Sequence, residues 1–406
     1  MSASQCLLRS LLALPTNSGF MHRLLLILLL LGAAAAPAFA NTPAIRAPGS
    51  GETPKIDLYT MGVGTMVVEK FGHAALCTRY PSNPRLDRCY NYGTTNFMDP
   101  AGLGWSFVRG RARFWVSIAN PDQMIDLYIR RDRTVWVQEL PISGSQARAI
   151  ADKLEFDSLE ENRFYIYHHY FDNCTTRIRD LLDTALGGIL KQDSGAPFGA
   201  TYRELSRRGF AESPGLLIAS DYVLGRIGDD EPTLYEAMFL PAVLRDVVED
   251  RLGIAPAVVY ERKGAEPSRE PSHVRLYMLF FGVILVAPIW VGWMRRTLRP
   301  FAMLPALSYL TLLGVILWGL AVLCPLPMAR YNEALLLFVP FDLVLLRMSL
   351  KNRQRYCQIR VSLVLLATVA SLIGLLSQPL WVIAPVPVLA LLPLALGSRP
   401  EHSSAS

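Results

Sequence analysis

Two side chains in this sequence of 406 residues have the chemistry of a nucleophile and its base. Cys174 follows Asp172 and Asn173, either of which can begin a helix as its N-cap. A thiol in the first turn of a helix has a lowered pKa and reacts as the thiolate. Such a thiol needs a base, and His73, on a predicted strand beside Gly72, is the candidate because the glycine leaves room for a substrate. On residue types alone, a buried structural cysteine and a core histidine explain the pair equally well.

The other histidines between residue 40 and the apolar stretches near the end of the chain are less well placed. His168 and His169 lie in the segment that enters the helix, so the chain would have to reverse for them to face the thiol. His273 lies beside an apolar stretch. The sequence contains no paired His or Cys spacing of the kind that holds zinc, so neither a metal nor a cofactor is predicted.

Periodicity predicts the elements that would position these residues. Runs of β-branched and apolar residues predict strands at 72–79 and 88–93, joined as a hairpin. Cys77 and Cys89 can then face each other and form a disulfide in an oxidising compartment, which leaves the thiol of Cys174 unpaired. The remaining predictions are strands at 125–130 and 134–140, a half-exposed strand within Trp105 to Ile118, and helices at 143–156, from 173 to 186 and over much of 201–255. The predicted fold class is α+β.

The two ends of the chain hold most of its apolar residues. Residues 1–40 have a basic flank, a short apolar run and an Ala-x-Ala exit, which predicts a secretory signal peptide with Met21 as a possible start; the alternative is an uncleaved first span. After a polar linker, five apolar stretches predict five transmembrane helices within 273–398, followed by a cytoplasmic tail at 399–406. These stretches are 276–294, 303–323, 333–350, 360–377 and 379–397.

Charge gives the orientation of this membrane part. Arginines and one lysine cluster at 295–299 and 347–360, whereas the opposite loops offer only Arg330. Because basic loops stay in the cytoplasm, residues 41–272 are predicted to face outward as an exported domain with its linker. The net charge of +6 is largely explained by these loops and gives no reason to expect nucleic acid as a partner.

Four short segments are distinctive: residues 71–76 (FGHAAL), 90–94 (YNYGT) and 171–182 (FDNCTTRIRDLL) in the exported region, and residues 332–340 (NEALLLFVP) in the apolar part. The first three resemble the Lnb family of bacterial lipoprotein N-acyltransferases, and the fourth is similar to a segment of that family as well. The resemblance covers about 55–250 and implies a circularly permuted papain-like domain in the periplasm, followed by five helices in the bacterial inner membrane. The disulfide between Cys77 and Cys89 is not part of the family pattern as we know it.

The resemblance also implies roles for individual residues. His73 would be the general base and Cys174 the nucleophile. Asn91, on the neighbouring strand, would fix the tautomer of the imidazole. A slip of one residue in the hairpin would present Tyr90 or Tyr92 instead.

The reaction implied by the resemblance is transfer of an acyl chain from a membrane phospholipid to the α-amino group of a diacylglyceryl-cysteine lipoprotein. It passes through a thioester on Cys174, with N–H groups of the helix stabilising the oxyanion. Trp105 and Trp115 would then receive acyl chains, and Arg109 would meet a phosphate. An ordinary half-buried strand with solvated arginines is the simpler interpretation of that stretch. Asp342, within the third apolar stretch, is either a functional carboxylate or a structural partner between helices.

Two other function classes stay open at the level of sequence. A membrane-anchored papain-like amidase or peptidase acting on cell-wall peptides would use the same pair of residues. A non-enzymatic envelope binding module would leave Cys174 inert. Five spans argue against the amidase, because a wall hydrolase needs only a tether.

Overall fold

A computed structural model describes residues 52–397 of the chain. The predicted signal peptide at 1–40 and the predicted tail at 399–406 lie outside the described residues. Within them, an α+β part with an antiparallel sheet precedes a largely helical part with long apolar helices.

The sheet has seven strands in the order β6-β4-β3-β2-β1-β5-β7, and every neighbouring pair is antiparallel. The strands predicted at 72–79, 88–93 and 134–140 are confirmed as β2, β3 and β5, whereas β1, β6 and β7 have no counterpart among the predictions. The bounds are β1 Lys55–Met61, β2 His73–Arg79, β3 Arg88–Thr94, β4 Arg113–Ala119, β5 Val135–Glu139, β6 Phe164–Ile166 and β7 Ala257–Tyr260.

Helices cover both faces of this sheet. The first face, which carries Leu58, Leu76 and Tyr90, packs against α3 (Gly144–Ser158), α4 (Cys174–Ala185) and α8 (Pro241–Leu252). The second face, which carries Cys77 and Cys89, packs against α2 (Pro121–Arg130) through Met124 and Tyr128. The remaining helices of this part are α1 (Pro100–Val108), α5 (Tyr202–Gly209), α6 (Pro214–Val223) and α7 (Leu234–Ala237).

One predicted strand is wrong, and a second is confirmed only in its later half. Residues 125–130 lie in helix α2, whose N-cap Asn120 accepts from the N–H groups of Asp122 and Gln123 and whose first residue is a proline. Both features favour the start of a helix over a strand. The stretch from Trp105 is likewise helical as far as Val108, and strand β4 begins only at Arg113. Gly110, with φ of +59°, makes the turn between the two elements.

Up to residue 397, where the described part of the chain ends, its second part has three helices long and apolar enough to cross a membrane. They are α9 (Val274–Met294), α10 (Pro300–Leu323) and α12 (Leu350–Leu372), and a shorter apolar helix, α13 (Pro385–Leu396), follows. A single turn, α11 (Pro327–Arg330), lies after α10. The arginines at 353, 355 and 360 belong to α12, which begins earlier than the apolar stretch predicted at 360–377.

The third apolar stretch, 333–350, is not the continuous helix that hydropathy predicted. It consists of two 3-10 turns, Glu333–Leu336 and Asp342–Leu346, on either side of Pro340. Side chains of the neighbouring helices satisfy its irregular backbone: Trp318 donates to the Phe338 carbonyl at 3.0 Å, and Arg360 donates to the Leu337 carbonyl at 2.7 Å. Such partners are what a non-helical backbone needs in an apolar environment, and hydropathy does not report them.

Asp342 is fully buried in this segment. Its carboxylate accepts from the Tyr356 hydroxyl at 2.8 Å and lies 3.5 Å from the guanidinium of Arg360, both on α12. These contacts are the ones expected if Asp342 is a structural partner between helices, because they form a polar link between neighbouring apolar segments.

The α+β part is joined to the apolar helices through helix α6 and the residues after it. The hydroxyls of Tyr222 and Tyr309 lie 2.8 Å apart, Asn332 donates to the Tyr222 carbonyl at 2.7 Å, and Gln378 donates to the Leu224 carbonyl at 3.1 Å. Side chains from three separate apolar segments thus contact one short stretch of the α+β part. The attachment is a packed interface and not only the polar linker.

Replacing Asp221 with Ala is expected to destabilise this interface. The buried carboxylate of Asp221 pairs with Arg207 at 2.6 Å and with Arg275, on the first apolar helix, at 2.9 Å. Its removal leaves two cations without their anion, which costs about 3–5 kcal/mol for a buried pair. The midpoint of thermal unfolding of the detergent-solubilised protein measures the effect. Asp246→Ala is the control, because Asp246 is exposed and pairs with its neighbour Arg245; equal midpoints for the two variants would contradict the prediction.

Candidate active site

Cys174 is the first residue of helix α4, as the sequence predicted. The N-cap is Asn173, whose side-chain oxygen accepts from the N–H groups of Thr175 and Thr176, both at 2.9 Å. The Thr176 hydroxyl accepts in return from the Asn173 N–H at 2.7 Å, which completes a capping box. The buried residues Ile178 and Leu182 hold the helix against the first face of the sheet. The cap and the apolar stripe together fix the position of the thiol.

Asn173 also connects this helix to the side of the α+β part that contacts the apolar segments. Its amide donates to the carbonyls of His169 at 2.8 Å and Phe239 at 2.9 Å. Phe239 packs in a buried cluster with Tyr170, Tyr202 and Met328, and Met328 belongs to the turn α11 that follows the second apolar helix. The nucleophile candidate is therefore one packed layer away from the apolar part.

His73 begins strand β2, and Asn91 lies on the neighbouring strand β3. The Nε2 atom of His73 lies 3.2 Å from Oδ1 of Asn91, whose amide nitrogen in turn donates to the Cys89 carbonyl at 3.4 Å. With Oδ1 turned toward the ring, Nε2 is the nitrogen that carries hydrogen, and Nδ1 is left to exchange a proton with a thiol. The structure thus brings Asn91 to the place that the hairpin prediction gave it. Tyr90 and Tyr92 point to the opposite face, into the core around α4.

The sulfur of Cys174 lies where strands β2 and β3 stop pairing. Their ladder runs only from Leu76–Tyr90 to Thr78–Arg88 and includes the pair Cys77–Cys89. Beyond its end, Cys174 contacts His73 and accepts a hydrogen bond from the N–H of Ala74. The histidine is on the second face of the sheet, whereas the helix packs on the first. The gap between the strands is what lets the two side chains meet.

Burial and the contact with His73 have opposite effects on the pKa of the Cys174 thiol. Burial raises the pKa of Cys174, but the positive charge and hydrogen bond of His73, with hydrogen bonds from Thr175 and Ala74, outweigh it and lower the pKa to about 7. The ordinary pKa of a cysteine thiol is 9.0. A buried thiol that is half ionised near neutral pH, beside an imidazole held by an amide, can act as a nucleophile.

A tyrosine covers the imidazole. Tyr128, on helix α2, stacks on His73 with ring centroids 6.2 Å apart and interplanar angle 22°. The guanidinium of Arg133 lies over the Tyr128 ring, 4.8 Å from the ring centroid. Burial, with a further contribution from the nearby Cys174 charge, raises the pKa of Tyr128 to about 12. Sequence reasoning missed this residue, because residues 125–130 were predicted as a strand.

The contacts of the predicted substrate-binding residues are with neighbours of their own. Trp105, on helix α1, is about half exposed and lies under the guanidinium of Arg109, 5.9 Å from the ring centroid. Trp115, on strand β4, lies opposite Thr94 and packs against Phe164. Trp105 and Arg109 therefore form a pair of their own at the end of helix α1, because residues 105–112 are helix and turn and only the later half of the predicted strand exists. Trp115 occupies the strand expected for it.

Two further features of the predicted site can be placed. The sulfurs of Cys77 and Cys89 form a disulfide across the β2–β3 hairpin. Across residues 52–397, no three His, Cys, Asp or Glu side chains are grouped in a way that would hold a metal ion.

The comparisons with known proteins give one finding. Residues 50–208 match the family model described as the Lnb N-terminal periplasmic domain. This region contains His73, Asn91 and Cys174, and the match supports the Lnb family for the α+β part without specifying an activity. No curated protein and no solved structure matches the chain. The match thus relates residues 50–208 to an Lnb-type periplasmic domain, and the three long apolar helices support a membrane protein.

Proposed function

We propose that this protein is a lipoprotein N-acyltransferase that moves an acyl chain from a phospholipid, through a thioester on Cys174, to the α-amino group of a diacylglyceryl-cysteine lipoprotein. The observation that carries the proposal is the contact of a thiol of lowered pKa with His73, itself bonded to Asn91, in a domain packed onto apolar helices. The match to the Lnb N-terminal periplasmic domain supports it.

In the first half-reaction, the Cys174 thiolate attacks the ester carbonyl of the phospholipid. A C–S bond forms, and the carbonyl oxygen takes the electron pair of the π bond as an oxyanion. When the oxyanion collapses, the ester C–O bond breaks, and the protonated His73 gives its proton to the lysophospholipid oxygen. The products are an acyl thioester on Cys174 and a lysophospholipid.

In the second half-reaction, the free α-amino group of the lipoprotein attacks the thioester. A C–N bond forms, His73 takes the proton of the amine, and the C–S bond breaks to restore the thiolate. Asn91 holds the imidazole through both steps by its bond to Nε2. No cofactor takes part in this scheme.

The architecture and location that we propose follow the same resemblance. The α+β part would be a circularly permuted papain-like domain, since the strand of His73 precedes the helix of Cys174 in the chain. It would lie in the periplasm behind a cleaved signal peptide, and the apolar segments would cross the bacterial inner membrane five times. The packed interface through α6 favours a lipid substrate over a cell-wall peptide, because it holds the thiol close to the apolar part.

The test is to trap the thioester. Purified protein in nanodiscs with isotopically labelled phospholipid is quenched in acid, and the Cys174 peptide is examined by mass spectrometry. We expect a labelled acyl group that hydroxylamine removes, lysophospholipid in equal amount, and transfer of the label to a synthetic diacylated lipopeptide. Cys174→Ala should give none of these, whereas the control Cys324→Ala, which removes another buried thiol, should give all of them. Wild-type protein without thioester or N-acylated peptide would refute the proposal.

A further inference from the structure

The oxyanion of the tetrahedral intermediate needs hydrogen-bond donors placed beside the thiol. The sequence assigned this task to the N–H groups at the start of helix α4. In the structure, two of these groups, those of Thr175 and Thr176, already donate to the side chain of Asn173. The Ala74 N–H donates to the sulfur itself. The Cys174 N–H is not among these bonds, so an oxyanion site with two donors needs a second one from another element.

The hydroxyl of Tyr165, on the edge strand β6, is such a donor. It is buried and makes no hydrogen bond within residues 52–397. A buried hydroxyl without a partner costs free energy, so an unpartnered one beside a reactive group is a candidate for function. Gly93 gives its location: a Cβ atom added there would lie 3.9 Å from the Tyr165 oxygen and 3.3 Å from the Cβ of Cys174. Both side chains border the small space that the glycine leaves.

The protonation state of this tyrosine fits a donor. Burial raises the pKa of Tyr165 well above its usual value, and the negative charge of Cys174 adds to the effect. The phenol thus keeps its hydrogen near neutral pH, where the thiolate begins to form. Arg177, which pairs with Asp172 at 2.7 and 3.0 Å, lies over the ring at 3.8 Å from its centroid and holds the phenol in place.

We propose that the Tyr165 hydroxyl donates a hydrogen bond to the oxyanion that forms when the Cys174 thiolate attacks an acyl carbonyl. The inference rests on the proposed function, because it assumes that Cys174 is acylated. The hydroxyl has no charged partner in the resting site and gains one when the carbonyl oxygen becomes an oxyanion. That difference between ground state and transition state is what accelerates a reaction. Arg177 acts as a positioning residue through the ring of Tyr165.

Tyr165→Phe tests this role with two reagents, both of which are attacked by the Cys174 sulfur. Acylation of Cys174 by p-nitrophenyl butyrate passes through an oxyanion, and release of nitrophenolate reports its rate. Alkylation by iodoacetamide is a displacement at carbon without an oxyanion. We expect the variant to be acylated roughly 100- to 1,000-fold more slowly, as for the loss of one oxyanion donor, and to be alkylated at the wild-type rate. Tyr92→Phe is the control, since it removes another buried hydroxyl, one that donates to Asp157 at 2.8 Å.

Each other outcome has a distinct meaning. Equal acylation rates for wild type and Tyr165→Phe overturn the inference and leave the proposed function intact. The inference is also overturned if Tyr165→Phe is alkylated more slowly at neutral pH and the pH midpoint of its alkylation moves upward. In that case the Tyr165 hydroxyl stabilises the thiolate and not the oxyanion. A wild-type Cys174 that reacts with neither ester nor phospholipid refutes the acyltransferase proposal itself, and this inference with it. If Tyr92→Phe also loses acylation, the loss in Tyr165→Phe reflects a disturbed fold and not a missing oxyanion donor, which overturns the inference.

Discussion

His73→Gln is expected to raise the pKa of the Cys174 thiol and to slow acyl transfer by roughly 100- to 10,000-fold, the usual contribution of a general acid–base residue. Burial of the thiol raises its pKa, and His73 is the main group that opposes this. When the imidazole is removed, burial still raises the pKa of the thiol, and the main group that lowers this pKa is gone. At pH 7 the wild-type thiol, with a pKa of about 7, is about half ionised, whereas the variant thiol is nearly all protonated.

The measurement is the rate of Cys174 alkylation by iodoacetamide between about pH 5 and pH 10, a range that spans the pKa of free cysteine. The wild-type midpoint should lie near 7, and that of His73→Gln should lie higher, with little reaction at neutral pH. His273→Gln is the control, since this exposed histidine precedes the first apolar helix. An unchanged midpoint in His73→Gln would show that the imidazole does not stabilise the thiolate.

Gly93→Ala is expected to abolish acyl transfer while the protein stays folded. Gly93 has φ of +89° and lies at the irregular part of strand β3, directly beside the thiol. An alanine there adds backbone strain of about 1–3 kcal/mol. It also places a methyl group 3.3 Å from the Cβ of Cys174, in the space between the thiol and Tyr165 that an acyl carbonyl must enter.

Gly199→Ala separates the two effects. Gly199 has φ of +84°, and a Cβ added there meets nothing within 4 Å, so this variant has the strain without the obstruction. Both variants should unfold at a lower temperature than the wild type, but only Gly93→Ala should lose thioester formation and N-acylation of the lipopeptide. If Gly93→Ala keeps wild-type activity, the space beside Cys174 is not where the substrate carbonyl binds.

Much of this site is determined by short-range patterns. Asn173 caps the helix that begins at Cys174, and a cap acts over only three residues. Alternation along β2 and β3 places Cys77 and Cys89 on one face and brings Asn91 near His73, because a slip of one residue would turn the buried residues of β3 to the other face. Hydropathy likewise indicates which segments are apolar.

Hydropathy is a poor guide to how an apolar segment folds. Residues 333–350 are as apolar as a spanning helix, yet they form 3-10 turns because Trp318 and Arg360 satisfy their carbonyls from α10 and α12. Helix α2 was wrongly predicted as a strand for a different reason. The apolar residues of 125–130 fit a strand, and the N-cap Asn120, which favours a helix, lies five residues before that segment.

The thiol, its helix and its candidate base were therefore set by the sequence itself, through caps and alternation that act over a few residues. The sequence could not show that the sulfur lies in the gap where β2 and β3 part, or that Asn173 already occupies two of the N–H groups expected to bind the oxyanion. Nor could it bring the Tyr165 hydroxyl to that gap. These features depend on the pairing of β6 with β4 and on the packing of α4 across the sheet. Contacts between residues far apart in the chain leave no local pattern, so only the tertiary structure decides them.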